Sequence, residues 1–148
     1  MTIALVHSPA DVVRQHLIDA GLGTAPSASG SWPVFAIGEP SEPDNCLTVY
    51  DTAGSSAGRT MPDGEIQGMY GIQVRIRSAT HALGWAKANA IGAHLSEVAY
   101  QEVVHYGASN YLIHCFSRIG DVIPLGKNVP DTRRFLFTLN CMVNLRQL

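Results

Sequence analysis

The stretch LTVYDTAGSSAGR, Leu47 to Arg59, runs a hydrophobic strand into Asp-Thr-Ala-Gly, the order in which a nucleotide switch presents an acid to magnesium and a γ-phosphate. Such a switch needs a phosphate cradle before it, a GxxxxGK[ST] turn whose backbone amides hold the phosphates. The only Gly-Lys pair, Gly126-Lys127, is followed by Asn128 and lies downstream of the DTAG, and a guanine-reading Asn-Lys-x-Asp is missing. The stretch therefore reads as a strand ending in a glycine-rich loop. A second outline, Pro43-Asp44 followed by Gln73-Val74-Arg75, has the order of a magnesium nuclease but with Gln for the second acid and Arg for the lysine. Gln is a poor anionic ligand, and Arg does not shed its proton.

The six histidines, His7, His16, His81, His94, His105 and His114, form neither HxH nor HExxH and read as surface or hydrogen-bonded structural residues. No serine sits in GxSxG, and no cysteine has the context of a known nucleophile. Trp85 reads as packing, and Arg133-Arg134 as the solvated opening of a strand. No catalytic, cofactor-binding or metal-ligating residue is assigned, and no cofactor is expected.

These residues must be positioned by elements that the patterning lays out. Ser8-Pro9-Ala10-Asp11 opens a helix with an N-cap, a proline at the first turn and an early acid; Val13, Leu17 and Ala20 share a face, and Gly21 or Gly23 stops it. After a polar linker, residues 24–31, the strand WPVFAI, the acidic turn GEPSEPDN and the strand CLTVYD read as a hairpin with a wide turn. Thr52 to Gly68 has four glycines and no apolar periodicity, and reads as a long loop of the kind that is functional or disordered. MYGIQVRIRS alternates strictly, with Tyr70, Ile72, Val74 and Ile76 against Gln73, Arg75 and Arg77. Ser78 or Thr80 caps a slim, alanine-rich helix with Leu83, Ala86, Ala90, Ile91, Leu95 and Val98 at helical spacing. The strands YQEVVHY and NYLIHCFSRI, the extended piece DVIPLG and the strand RRFLFTLNCMVNL follow, the even face of the last being too polar for a core. The expected fold is α+β: a largely antiparallel, mixed sheet with two main helices packed on one face and a long Gly-rich loop.

The 148 residues suit a single domain, 1–148, of a size that buries about 70% of its unfolded surface. Charged residues are 15% of the chain, against about 25% in an ordinary soluble protein, so part of the surface is expected to face protein. A net charge of −2 gives no general attraction to nucleic acid or anionic membrane. Three scattered cysteines, Cys46, Cys115 and Cys141, fit free thiols in a reducing cytoplasm. No apolar run reaches the roughly 18 residues of a membrane span, and the N-terminus has no basic leader. Residues 39–65 carry Glu39, Glu42, Asp44, Asp51, Asp63 and Glu65 against Arg59 alone, a net −5, while 66–148 carry +4. Copies with one acidic and one basic region can join head to tail into rings; an ordinary solvated surface gives the same pattern.

Four segments, WPVFAIGEPSEPDNCLTVYDTAG, GRTMPDGEIQGMYGIQVRIRS, GWAKANAIGAHL and SRIGDVIPLGKNVPDTRRFLFTLNCMV, resemble the minor capsid or tail terminator (tail completion) proteins of long-tailed bacteriophages. The resemblance spans roughly Trp32 to Val143. It implies a non-enzymatic virion protein forming a homo-hexameric ring on the head-proximal end of the tail tube. There the ring ends tube polymerisation and joins the head. The implied partners are further copies of the chain, the major tail tube protein and a head-completion or connector protein. Viral DNA would pass through the lumen without specific binding, no membrane would be involved, and assembly would take place in the host cytoplasm. On this basis Arg75, Arg77, Arg133, Arg134, Asp51 and Arg59 are candidates for the subunit or tube interface. Glu39, Glu42, Asp44, Asp63 and Glu65 are candidates for lumen or interface acids. A small protein-binding module, or a small enzyme of unfamiliar type, are the alternatives.

Overall fold

The computed structural model describes residues 5–26, 30–59, 66–97, 102–127 and 134–148. The elements are α1 (Pro9–Asp19), β1 (Val34–Ala36), β2 (Cys46–Arg59), β3 (Ile66–Ser78), α2 (His81–Glu97), β4 (Glu102–Tyr106), β5 (Ser109–Arg118), β6 (Ile123–Lys127) and β7 (Phe135–Gln147). The strands form one seven-stranded sheet in the order β1-β2-β3-β7-β5-β4, with β6 also on β7 beyond the end of β5. Every pairing is antiparallel except β1 with β2, so the α+β expectation holds.

Helix α1 begins as its sequence dictates. The Ser8 side chain accepts from the Asp11 amide, and Pro9 sits in the first turn. At the other end Leu22 N–H reaches Leu17 O and Gly21 N–H reaches Ile18 O, the paired bonds of a Schellman stop. The helix touches β1, β2, β3 and also β4. Because β1 and β4 lie at opposite ends of the strand order, the sheet curls around α1. Helix α2 fills the rest of the same face against β3, β5 and β7. Val12, Val13, Leu17, Ile91 and Leu95 pack there with Ile72, Val74, Ile76, Leu139, Cys141 and Val143, all fully buried.

Four expectations need correction. The segments 32–37 and 46–51 are not a hairpin: Val34 to Ala36 pair in parallel with Leu47 to Val49. The acidic residues between them instead form a strap, residues 37–45, that crosses the sheet face opposite the helices. Secondly, the described parts of the expected loop Thr52–Gly68, residues 52–59 and 66–68, are strand, while residues 60–65 lie outside the described residues. β2 continues to Arg59 and β3 starts at Ile66, giving a ribbon with bulges between Thr52 and Ser55 and between Ser56 and Gly58. Its glycines permit that approach: a Cβ on Gly54 would lie 2.3 Å from Met69 O, and one on Gly71 2.6 Å from Ala53 O. Alternation fades because this part of the ribbon leaves the core.

Thirdly, α2 buries only part of the face its apolar spacing predicts: Ile91 and Leu95 hold, but the N-terminal half presents glycine and alanine to the sheet in place of its predicted residues. Leu83, Ala86 and Ala90 are exposed, while Gly84, Ala88, Ile91, Gly92 and Leu95 face the sheet. Val98 lies outside the described residues. Fourthly, the even face of β7 is not all solvent-facing, since Leu136 and Thr138 are buried beside Arg77 and Arg75 in register.

Candidate functional site

Strand alternation sends Ile72, Val74 and Ile76 toward the helices and Gln73, Arg75 and Arg77 to the opposite face, alongside Cys46 and Thr48 of β2. Cys46 and Thr48 are fully buried although they point away from the helical core, because the strap lies over them. The chain enters the strap at Ile37, whose φ of 71° is left-handed, a region a β-branched residue rarely adopts. The turn is held by Ile37 N–H donating to Val49 O at 2.9 Å.

Two buried arginines then fix the path of the strap, and one of them, Arg134, is 4% exposed and so is not the solvated strand opening expected from Arg133-Arg134. Arg77, 3% exposed, donates to the carbonyls of Pro40 at 2.5 Å and Pro43 at 2.6 Å. Arg134, just before β7, donates from Nε to Asp44 Oδ1 at 2.7 Å, from Nη2 to Glu42 Oε1 at 3.0 Å, and from Nη1 to the Ser41 carbonyl. Glu39 lies 3.7 Å from both Arg75 and Arg77. A planar guanidinium with several fixed donors suits this work, where an ammonium would act as a point charge. The two guanidinium groups thereby tie three backbone carbonyls of the strap, those of Pro40, Ser41 and Pro43, to the sheet.

The structure thus brings together Glu39, Glu42 and Asp44 with Arg75, Arg77 and Arg134, all within one subunit. Glu42 and Asp44 remain 73% and 49% exposed at their side chains while paired. Asp51 stands apart from this cluster: its carboxylate accepts from Ala10 N–H at 2.9 Å at the start of α1. The acid of DTAG therefore satisfies an orphan amide at a helix N-terminus and complements the helix dipole. Arg59 sits on the ribbon with its Cα opposite Ile66. Arg133, Asp63 and Glu65 lie outside the described residues.

Sequence reasoning missed the polar pair inside the helical face. His16 is buried at 2% exposure, with Nε2 3.1 Å from His94 Nε2 and Nδ1 3.4 Å from Glu102 Oε2. A signal was present, since His16 falls on the apolar stripe of Val12, Val13 and Leu17. Burial pushes its pKa below the ordinary 6.5; Glu102 opposes that shift and His94 adds to it. Burial also raises the thiols of Cys46 and Cys141 to about 11, which removes thiolate character at neutral pH. Among the described residues no group of three or more His, Cys, Asp or Glu is placed to hold a metal ion, and no helix is long and apolar enough to cross a membrane.

The family model for the bacteriophage tail terminator protein matches residues 16–106, which run from α1 through the strap, the ribbon and α2 to β4. No curated protein matches the chain. Among solved structures, the chain is similar to one from "Virion of native gene transfer agent (GTA) particle", at 11% sequence identity and a TM-score of 0.47, with 76% of this chain and 78% of that chain covered.

Proposed function

Because this chain belongs to the bacteriophage tail terminator family, and so is a structural tail protein, we propose that it assembles as a hexameric ring on the head-proximal end of the tail tube. There it stops tube polymerisation and offers the surface on which the filled head docks. The observation that carries this reading is the family match, which includes the whole strap and ribbon. The low content of charged residues, 15%, supports a surface that faces other proteins. So does α2, where Ala82, Leu83, Ala86, Ala90 and Ala93 are exposed and the helix's one acid, Glu97, stands at its very end.

In this reading the ribbon and the strap face a neighbouring subunit, the tube or the lumen, and the partners are the tail tube protein and a head-completion or connector protein. Exposed carboxylates on the strap would disfavour contact with DNA phosphates and let the genome slide past. Arg77 and Arg134 act here within the subunit, as the residues that shape the strap. Adding the purified protein to polymerising tail tube protein tests the proposal. Tube growth should halt, with one end closed by added density; tubes that lengthen at an unchanged rate with bare ends would sink it.

A further inference from the structure

A buried imidazole needs partners for both ring nitrogens, and those of His16 come from two different elements. Glu102, on β4, can only accept, so the proton of neutral His16 resides on Nδ1, which faces that carboxylate at 3.4 Å. His16 Nε2 is then a bare acceptor, and the hydrogen bond across the 3.1 Å gap is donated by His94 Nε2–H. Phe116 of β5 lies against the pair, with its ring centroid 5.7 Å from that of His16. The arrangement has room for one proton between the two Nε2 atoms and no second acceptor there.

We propose that His16 and His94 form a proton-operated latch between α1 and α2, closed while at most one of the two rings is charged, so that one proton is shared between the Nε2 atoms, and opened when both rings are charged and N–H meets N–H. The charged groups around it do not cancel the second charge. Glu102 is half exposed and faces the far side of the His16 ring. Asp19, on α1, also favours the charged form but acts less strongly than burial. Arg118 of β5, which lies against Gly92 on α2, is ion-paired with Asp121 and supplies no counter-charge to the pair. Opening the latch frees the helix whose first turn is tied through Ala10 to Asp51 on β2, so the root of the ribbon loosens with it.

The sign follows from the burial of His16. Its pKa is lower in the folded chain than the ordinary 6.5, so between those values the unfolded chain binds a proton that the folded chain does not. The latch contributes its full stability above pH 6.5 and loses it as pH falls toward and through the lowered value.

The test is carried out on the full chain, with imidazole nitrogen NMR from pH 8 to 5 and urea unfolding of the wild type and His94→Gln. At pH 8, His16 should carry its proton on Nδ1. On acidification the amide signals of Val12, Val13 and Leu17 should shift together as the second proton enters, and the wild-type urea midpoint should fall. In His94→Gln the fall should be smaller, because a glutamine carbonyl can accept from a charged His16. A His16 protonated on Nε2 at pH 8, α1 signals that ignore the titration, or a variant midpoint that falls as steeply as the wild type's would each overturn the latch. If His94→Gln does not fold, the wild-type titration alone decides.

Discussion

Arg77 holds the strap by its shape as well as its charge, because it satisfies two backbone carbonyls from a buried position. Arg77→Ala should cost about 3 kcal/mol in urea unfolding, as expected when one partner of a buried polar cluster is removed. Arg77→Lys should recover little of that, since a point charge cannot bridge both carbonyls. Arg75→Ala, at a partly exposed ion pair, should cost less than about 1 kcal/mol; equal losses at the two positions would contradict the distinction. Asp51→Ala should cost about 1 kcal/mol, the usual value for losing a helix cap. Ile37→Gly should stabilise the protein by about 1 kcal/mol through relief of a left-handed backbone, measured the same way. The raised thiols give a chemical check. Cys46 and Cys141 should resist iodoacetamide at pH 8 in the native state and react on unfolding.

At the scale of elements, α2 lies so close to the sheet that a Cβ on Gly84 would meet Phe137 Cε2 at 2.4 Å. Gly84→Ala would gain about 1 kcal/mol of helix propensity in an exposed helix. Here it should instead lower stability by about 1–3 kcal/mol through overpacking, with a changed environment for Trp85, whose ring neighbours Phe137. This contact also explains what the sequence left illegible. With alanines at 82, 86, 88, 90 and 93, most faces of α2 read as apolar, and the glycines that make the contact carry no hydrophobic signal. The strict alternation of Met69–Ser78, by contrast, correctly placed Arg75 and Arg77 on the face away from the helices. Their partners were not legible, because a parallel crossover is decided by closure of the sheet and not by local turn chemistry. The ribbon read as a loop because strands outside the core have no buried face to impose alternation.

For the whole molecule, the split between an acidic 39–65 and a basic 66–148 suggested head-to-tail attraction between copies. Three of those acids and three of those bases meet inside one subunit, so ring closure should rest less on long-range charge than the raw sequence implies. Assembly should accordingly persist when salt is raised from low to physiological strength, where exposed charges are screened beyond about 8 Å. The central claim is that the chain forms a ring that ends a tail tube. Its most direct test is the native mass of the purified protein across concentration, paired with negative-stain images after mixing with tail tubes. Six-subunit rings, formed in solution or on contact with the tube, are expected at one end of each tube. A monodisperse monomer that leaves every tube end bare would contradict it.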